Sequence, residues 1–170
     1  MEQLGTFAQA HQKVLADVQR FLITVHQLSS LPCATAKAGI AILDRLRKET
    51  YEDLNQIQHE HLIVCAAEWL YRNQRCAPET VWYWNPRQTG DNTEPDLRGA
   101  HSSSIVVSAE ITTSEKPIGA IDKRMQSTLA KLSAMAGVKY YFVRTEAMRL
   151  RASTKISKGG WQIEVVQLPV

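Results

Sequence analysis

The sequence predicts a single α/β domain in which helices come first and a sheet follows. Apolar residues recur at three- and four-residue intervals up to about residue 73, the spacing of amphipathic helices. From residue 80 short runs rich in β-branched and aromatic residues take over, and one more helical stretch separates two of them. The 170 residues, 44% hydrophobic and 22% charged, suit one globular unit. We therefore expect one domain over 1–170, with a helical extension over 1–50 and an α/β core over 54–168.

Two helices are predicted before the sheet. Apolar positions indicate a first helix over 6–28, which the run Ser29-Ser30-Leu31-Pro32 should end. A second helical pattern covers 35–73. Because that length is unusual for one helix, we expect a break between Glu49 and Asp53.

The remaining elements form the predicted sheet and its connections. In chain order they are a strand over 80–84, a polar connection over 87–93 with Gly90-Asp91-Asn92 as its turn, a hairpin over 95–112 centred on Ser103, a helix from Pro117 to Gly137, a strand over 138–143, a basic connection over 144–160 and a last strand over 161–168. The strands on either side of the Pro117 helix should be joined by a crossover connection.

The hairpin carries two acids that should face each other. Its centre at Ser103 pairs positions whose numbers sum to 206, and Asp96 and Glu110 satisfy that condition. Opposed side chains in an antiparallel pair lie roughly 4.5–5.5 Å apart at Cβ, where two like charges destabilise the fold unless they are neutralised. A hard cation such as Mg²⁺ binds one or two carboxylates and keeps several waters. The pair therefore predicts a divalent-metal site.

A third acid, Glu68, lies on the helix that precedes the sheet. It is at the edge of the apolar stripe expected to face the sheet. Charged groups on such a face are rarely left unpaired. We expect Glu68 to point toward the acidic pair and to bind a cation directly or through water, or to lie at the rim.

The pattern of acids resembles that of a known superfamily. The residues are Glu68 on a helix, then Pro95-Asp96, then Glu110-Ile111-Thr112, in the order α-β-β-β-α-β over Leu54 to Val143. This arrangement resembles the PD-(D/E)xK nuclease superfamily, which includes restriction endonucleases, Holliday-junction resolvases and repair exonucleases. The resemblance implies a restriction-endonuclease-like αβββαβ core, with a central mixed sheet flanked by helices and extra helices at the N-terminus.

The resemblance also implies roles for individual residues. Asp96, Glu110 and the main-chain carbonyl of Ile111 would hold Mg²⁺ or Mn²⁺, with Glu68 assisting through water or a second ion. The metal would polarise the phosphoryl oxygen and lower the pKa of a bound water. The expected activity is hydrolysis of DNA phosphodiester bonds by a bacterial restriction- or repair-type enzyme.

The chain departs from the superfamily at the position of its lysine, which is Thr112 here. Thr112 could hydrogen-bond the attacking water but not deprotonate it. Some members supply a basic group from the next helix, for which Lys116 and Lys123 are the candidates. Gln126 resembles a glutamine found after the catalytic strand in exonuclease branches.

The charge distribution indicates a polyanionic partner, which we expect to be DNA. Residues 115–170 carry net +6 and the rest net −3. A basic face of this kind is typical of nucleic-acid binding, although solvated surfaces show similar asymmetry. The candidate contacts to nucleic acid are Arg98, Arg124, Lys131, Arg149, Arg151, Lys155 and Lys158.

Other classes of function find less support. No apolar run approaches the ~20 residues that cross a bilayer, so we expect a cytoplasmic protein. Without a GxGxxG, Walker or GxSxG pattern, we expect no nucleotide cofactor. His59-Glu60-His61 lacks HExxH spacing, and Trp82-Tyr83-Trp84 favours core over a base-stacking platform. The three cysteines form no CxxC pair, and we expect reduced, mostly buried thiols.

Three hypotheses remain open on the sequence. The first is a metal-dependent deoxyribonuclease, which we expect to act as a homodimer. The second is a catalytically weakened member of the same fold that binds nucleic acid or a partner subunit. The third is an unrelated α/β domain that assembles through its N-terminal helices, with Asp96 and Glu110 as surface acids of the hairpin and Glu68 paired with an arginine.

Overall fold

A computed structural model of the chain describes residues 1–86 and 93–169. Its elements are β1 (Glu2–Gln3), α1 (Phe7–Ser29), α2 (Ala36–Arg72), β2 (Val81–Trp84), β3 (Leu97–His101), β4 (Ser104–Ile111), α3 (Ala120–Ser133), β5 (Val138–Val143), α4 (Glu146–Gly159) and β6 (Glu164–Gln167). The predicted turn Gly90-Asp91-Asn92 lies outside the described residues. Within them no helix is both long and apolar enough to span a membrane.

The described strands form one mixed sheet in chain order, β1 to β6. Neighbours from β1 to β4 are antiparallel, whereas β4-β5 and β5-β6 are parallel. Helix α3 supplies the crossover between β4 and β5, as parallel pairing requires. The predicted α/β class and this crossover are confirmed.

Helices cover both faces of the sheet, because successive residues of a strand point to opposite sides. On one face α1 and α2 pack over a core that contains Leu70 and Phe142. On the other face α3 and α4 pack over a second core, which contains Leu129 of α3 and Tyr141 of β5. Trp82 is buried in the first of these cores, as its strand pattern predicted.

The hairpin has the predicted register at the end that carries the acids. Leu97 pairs with Ala109, and these numbers sum to 206. At the turn itself, where both Ser102 and Ser103 have positive φ, the paired numbers sum to 205, so the turn centre lies between these two residues and half a residue before the predicted centre. An irregularity at Gly99/Ala100 compensates for this displacement.

Helix α2 runs without interruption from Ala36 to Arg72, so the predicted break near Glu49–Asp53 is wrong. That stretch contains no proline or glycine to interrupt the main-chain hydrogen bonds. Thr50 is buried there, and its hydroxyl donates to the Leu46 carbonyl at 2.7 Å. The long helical pattern in the sequence therefore corresponds to one continuous helix.

The predicted basic connection over 144–160 is instead helix α4, and the last strand is correspondingly shorter. Thr145 caps the helix start by accepting from the Met148 amide, and Gly160 ends it in the left-handed conformation at φ 63°. The buried residues Met148, Ala152 and Ile156 form a stripe at four-residue spacing. Basic residues between them obscured this stripe in the sequence.

The cysteines are free thiols, as predicted, but their expected burial is only partly found. Cys65 and Cys76 are half-buried, whereas Cys33 is exposed. Strand β1, which has two residues, was not predicted.

Candidate metal and phosphodiester site

A polar cavity of about 230 Å³ opens where α2, α3 and the ends of β3 and β4 meet. Its lining residues are Asn55, Gln56, His59, Asp96, Glu110, Ile111, Thr112, Thr113, Ser114, Ile121, Arg124, Met125, Thr128 and Tyr141. The lining includes both acids of the hairpin together with hydroxyl, amide and basic groups. The cavity therefore offers ligands for a cation beside groups that bind an anion.

Asp96 lies directly before β3 and is 1% exposed. Its Oδ2 accepts a hydrogen bond from the Ile111 amide at 2.8 Å. The bond ties the acid to the end of β4, where Glu110 also lies. The predicted closeness of the two acids thus follows from the hairpin register.

Glu110 is 4% exposed, and its pKa is raised to about 8 by burial and by the charge of Asp96. Lys131 partly opposes this rise, since its Nζ lies 2.5 Å from Glu110 Oε1. Two buried carboxylates side by side are costly unless protons or cations compensate them. A positive charge near the pair would therefore stabilise it.

His59, on α2, is one of the groups that stabilise the pair by contact. Its Nε2 lies 3.2 Å from Asp96 Oδ2 and 3.2 Å from the Ile111 carbonyl oxygen. Both partners are acceptors, so Nε2 carries the proton and donates it. Burial lowers the pKa of His59, but the Asp96 carboxylate and the Ile111 carbonyl outweigh burial and raise it above its ordinary value.

Lys131 is the basic group that the helix after β4 supplies. Besides its ion pair with Glu110, its Nζ donates to the Glu94 carbonyl at 3.3 Å. Lys131 does not itself line the cavity and is connected to it through Glu110. The predicted candidates Lys116 and Lys123 are exposed, and within the described residues neither is ion-paired with either acid. Lys131 was expected only to contact nucleic acid.

A sequence signal for Lys131 was present on α3. Arg124, Thr128 and Lys131 follow one another at four- and three-residue spacing, which places them on one side of a helix. Arg124 and Thr128 line the cavity. Gln126, two positions away from both, is exposed and is not part of the lining.

Thr112, which follows Ile111, also lines the cavity. Its hydroxyl accepts from the Ser114 amide at 3.2 Å. Tyr141 lines the cavity as well, and burial raises the pKa of its hydroxyl. Tyr141 therefore keeps its proton at the cavity wall.

Glu68 does not join the acidic pair. Its carboxylate lies 3.0 Å from His11 Nε2, on α1, and 3.1 Å from Arg72 on its own helix. It is not among the residues that line the cavity. The side of α2 that carries Glu68 faces α1, whereas His59, nine residues earlier, faces the cavity.

Most of the predicted nucleic-acid contacts are engaged in ion pairs. Arg151 and Lys155 both bind Asp122, with Nε 2.7 Å and Nζ 3.2 Å from Oδ1, and hold the pKa of that carboxyl well below its usual range. Arg149 pairs with Glu146 at 2.6 Å, and the Arg98 guanidinium lies 3.9 Å from Glu94.

Two of the predicted contacts remain available to a ligand. Arg124 and Lys158 are exposed and have no ion-pair partner within the part of the chain that the structure describes. Of these two, Arg124 lines the cavity. Arg124 is therefore the basic side chain best placed to meet an anionic substrate beside the acids.

The donors available to a cation are oxygens with one nitrogen. They are the carboxylates of Asp96 and Glu110, the carbonyl of Ile111 and the imidazole of His59. Within residues 1–86 and 93–169, no three His, Cys, Asp or Glu side chains form a ready-made metal shell. One donor is a main-chain oxygen, and Glu110 is paired with Lys131, which a cation would have to displace.

The fold and cavity define an α/β protein with a buried acidic pair at the hairpin base. Comparisons with family models, curated proteins and solved structures found no match to this chain. Its function is therefore argued from the cavity.

Proposed function

We propose that the protein is a Mg²⁺- or Mn²⁺-dependent nuclease that hydrolyses DNA phosphodiester bonds, of restriction or repair type. The proposal depends on one observation, the burial of Asp96 and Glu110 side by side at a polar cavity, with the Ile111 carbonyl bonded to His59 beside them. A divalent cation relieves the cost of this burial, and oxygen donors are the ligands that Mg²⁺ prefers. The donor set therefore fits the metal.

The proposed fold is restriction-endonuclease-like. Its support is the run α2-β2-β3-β4-α3-β5, which has the αβββαβ order, and the mixed sheet covered by helices on both faces. In such a core the two acids come from the hairpin and the next helix crosses over beside them.

Five residues that line the cavity or contact its acids have roles in this proposal. Asp96 and Glu110 hold the cation, which when bound polarises the phosphate and lowers the pKa of an attacking water. Lys131, released from Glu110, orients that water and offsets negative charge on the phosphate. Thr112 hydrogen-bonds the same water, and Arg124 binds the substrate phosphate.

The second candidate is a catalytically weakened member of the same fold that binds nucleic acid or a partner subunit. Two observations favour it. Thr112 replaces the superfamily lysine, and both acids already have basic partners, Lys131 for Glu110 and His59 for Asp96. A site compensated in this way is stable without metal.

DNA cleavage in Mg²⁺ or Mn²⁺ tests both candidates. Supercoiled and linear DNA would be incubated with the protein, with Asp96→Asn and Glu110→Gln, and with Glu79→Gln as a matched control. Glu79 is exposed and outside the cavity, so its variant should cut like the parent.

Cleavage that is lost only in the Asp96 and Glu110 variants supports the nuclease. Absence of cleavage, with calorimetric Mn²⁺ binding that depends on Asp96, supports the weakened fold. If neither cleavage nor metal binding is found, both candidates fail. Sedimentation of the protein with DNA tests the homodimer that a two-strand cut requires.

A further inference from the structure

His59 lies in the cavity beside two of the proposed metal ligands, the Asp96 carboxylate and the Ile111 carbonyl, and its imidazole nitrogen would be a third kind of ligand. Its Nε2 is 3.2 Å from Asp96 Oδ2 and 3.2 Å from the Ile111 carbonyl oxygen, both of which are proposed ligands. Adjacent ligands of an octahedral cation, each at about 2.1 Å from it, lie roughly 3 Å apart. The three atoms therefore already have the spacing of neighbouring donors.

The geometry points to His59 as a direct ligand, so that the cavity selects Mn²⁺ over Mg²⁺ through one imidazole nitrogen. This inference rests on the proposed function, since it concerns the metal of the same site. In the structure a proton on Nε2 bridges the two oxygens. A bound cation would take the place of that proton, which would leave to solvent from the imidazolium form, and the neutral ring, with its remaining proton on Nδ1, would hold the cation through the Nε2 lone pair.

The metal preference follows from the chemistry of the donors. Mg²⁺ favours an all-oxygen shell with several waters, whereas imidazole is a good ligand for transition metals. Mn²⁺ accepts both carboxylate oxygen and imidazole nitrogen. Mg²⁺ would be expected to bind through Asp96 and Glu110 and to gain little from His59.

The helix holds the ring in a fixed place, which a ligand requires. His59 lies in the middle of the 37-residue α2, and its side chain is 16% exposed. No large movement is needed on this side of the cavity. On the other side Glu110 has to release Lys131, whose side chain is 28% exposed and can turn toward solvent.

The competing role for His59 is to position Asp96 and Ile111 by hydrogen bonds alone. If His59 only positions the other ligands, it should contribute equally to the affinities for Mn²⁺ and Mg²⁺. If His59 is itself a ligand, it should contribute mainly to the affinity for Mn²⁺. Calorimetric titration of the full chain with each metal, in the parent and in His59→Gln, separates the two. The matched control is His61→Gln, because His61 is exposed on the same helix and outside the cavity lining.

We expect His59→Gln to lower Mn²⁺ affinity by about tenfold or more and to change Mg²⁺ affinity by less than about threefold. His61→Gln should leave both unchanged. Equal loss of both affinities in His59→Gln would overturn the inference while leaving the proposed function intact. Absence of binding of either metal to the parent would overturn the proposed function as well.

A spectroscopic measurement on the parent does not depend on whether the variant folds. Pulsed electron paramagnetic resonance of the Mn²⁺ complex should show coupling to ¹⁴N, which changes to the ¹⁵N pattern after labelling with ¹⁵N-histidine. The coupling should persist in His61→Gln. A Mn²⁺ complex that depends on Asp96 but shows no histidine nitrogen coupling would refute ligation by His59.

Discussion

Replacing Glu110 by glutamine should make the metal-free protein more stable at neutral pH. Glutamine keeps the shape of the side chain but cannot ionise. The pKa of Glu110 is raised from 4.5 to about 8 by burial and by Asp96. An acid with a raised folded-state pKa contributes stability that is fully present below its ordinary pKa and is lost as the pH rises through the folded pKa. Only the parent loses stability in this way, because the glutamine variant has no ionisable group at position 110.

The size of the effect follows from the same pKa. Between pH 4.5 and pH 7 lie 2.5 pH units, each worth about 1.4 kcal/mol, so the free energy of unfolding of the parent falls by at most about 3.5 kcal/mol over that window. Lys131 loses its ion-pair partner in the variant, which offsets part of the gain. We expect the stability difference between Glu110→Gln and the parent to widen by about 1–3 kcal/mol from pH 5 to pH 7.

Urea denaturation in EDTA at pH 5, 6 and 7 measures this difference. His59, whose raised pKa also makes stability fall as the pH rises, remains in both proteins and largely cancels. Glu79→Gln serves as the control, and its difference from the parent should stay constant. Parallel stability curves for Glu110→Gln and the parent would refute the proposed electrostatic strain between Glu110 and Asp96.

Three further perturbations test other parts of the site and fold. Lys131→Met should slow single-turnover cleavage by about 100-fold or more while metal binding persists, and Lys123→Met should have no effect; an unchanged rate in Lys131→Met would remove its proposed role. Arg124→Ala should weaken DNA binding and reduce the slope of log affinity against log salt by about one in fluorescence anisotropy, and an unchanged slope would contradict phosphate binding there. Phe142→Ala, at a position that is 0% exposed, should cost about 3–5 kcal/mol in urea denaturation, and a cost below about 1 kcal/mol would contradict its place in the core.

The sequence was sufficient for features that depend on local pairing. The register that brings Asp96 near Glu110 follows from the turn between them, and the pairing of Leu97 with Ala109 agrees with it although the turn itself is displaced. Helix α4 was missed for a local reason as well, because basic residues surround its stripe. Strand β1 pairs with β2 across about 80 residues, and its two residues carry no periodic pattern.

The groups that complete the site could not be predicted in the same way. His59 and Lys131 reach the acids because α2 and α3 pack against opposite faces of the sheet and meet its end at one cavity. Which residues of each helix face the cavity depends on how the helix is rotated about its own axis when it packs on the sheet. Glu68 and His59 are nine residues apart on α2, and only packing against α1 decides that the first binds His11 and the second Asp96.

The two basic partners of the acids bear on whether the proposed site can take a cation without the lysine that the resemblance implies. Lys131 is ion-paired with Glu110 and His59 donates to Asp96, and these contacts help the metal-free fold to tolerate the two buried acids. The cavity lined by His59 and both acids has room for an ion and its waters. A purely structural network would need no such space, because a buried ion pair is stabilised by packing and hydrogen bonds around it. Exchange of these partners for a metal is therefore the use that we propose for the arrangement.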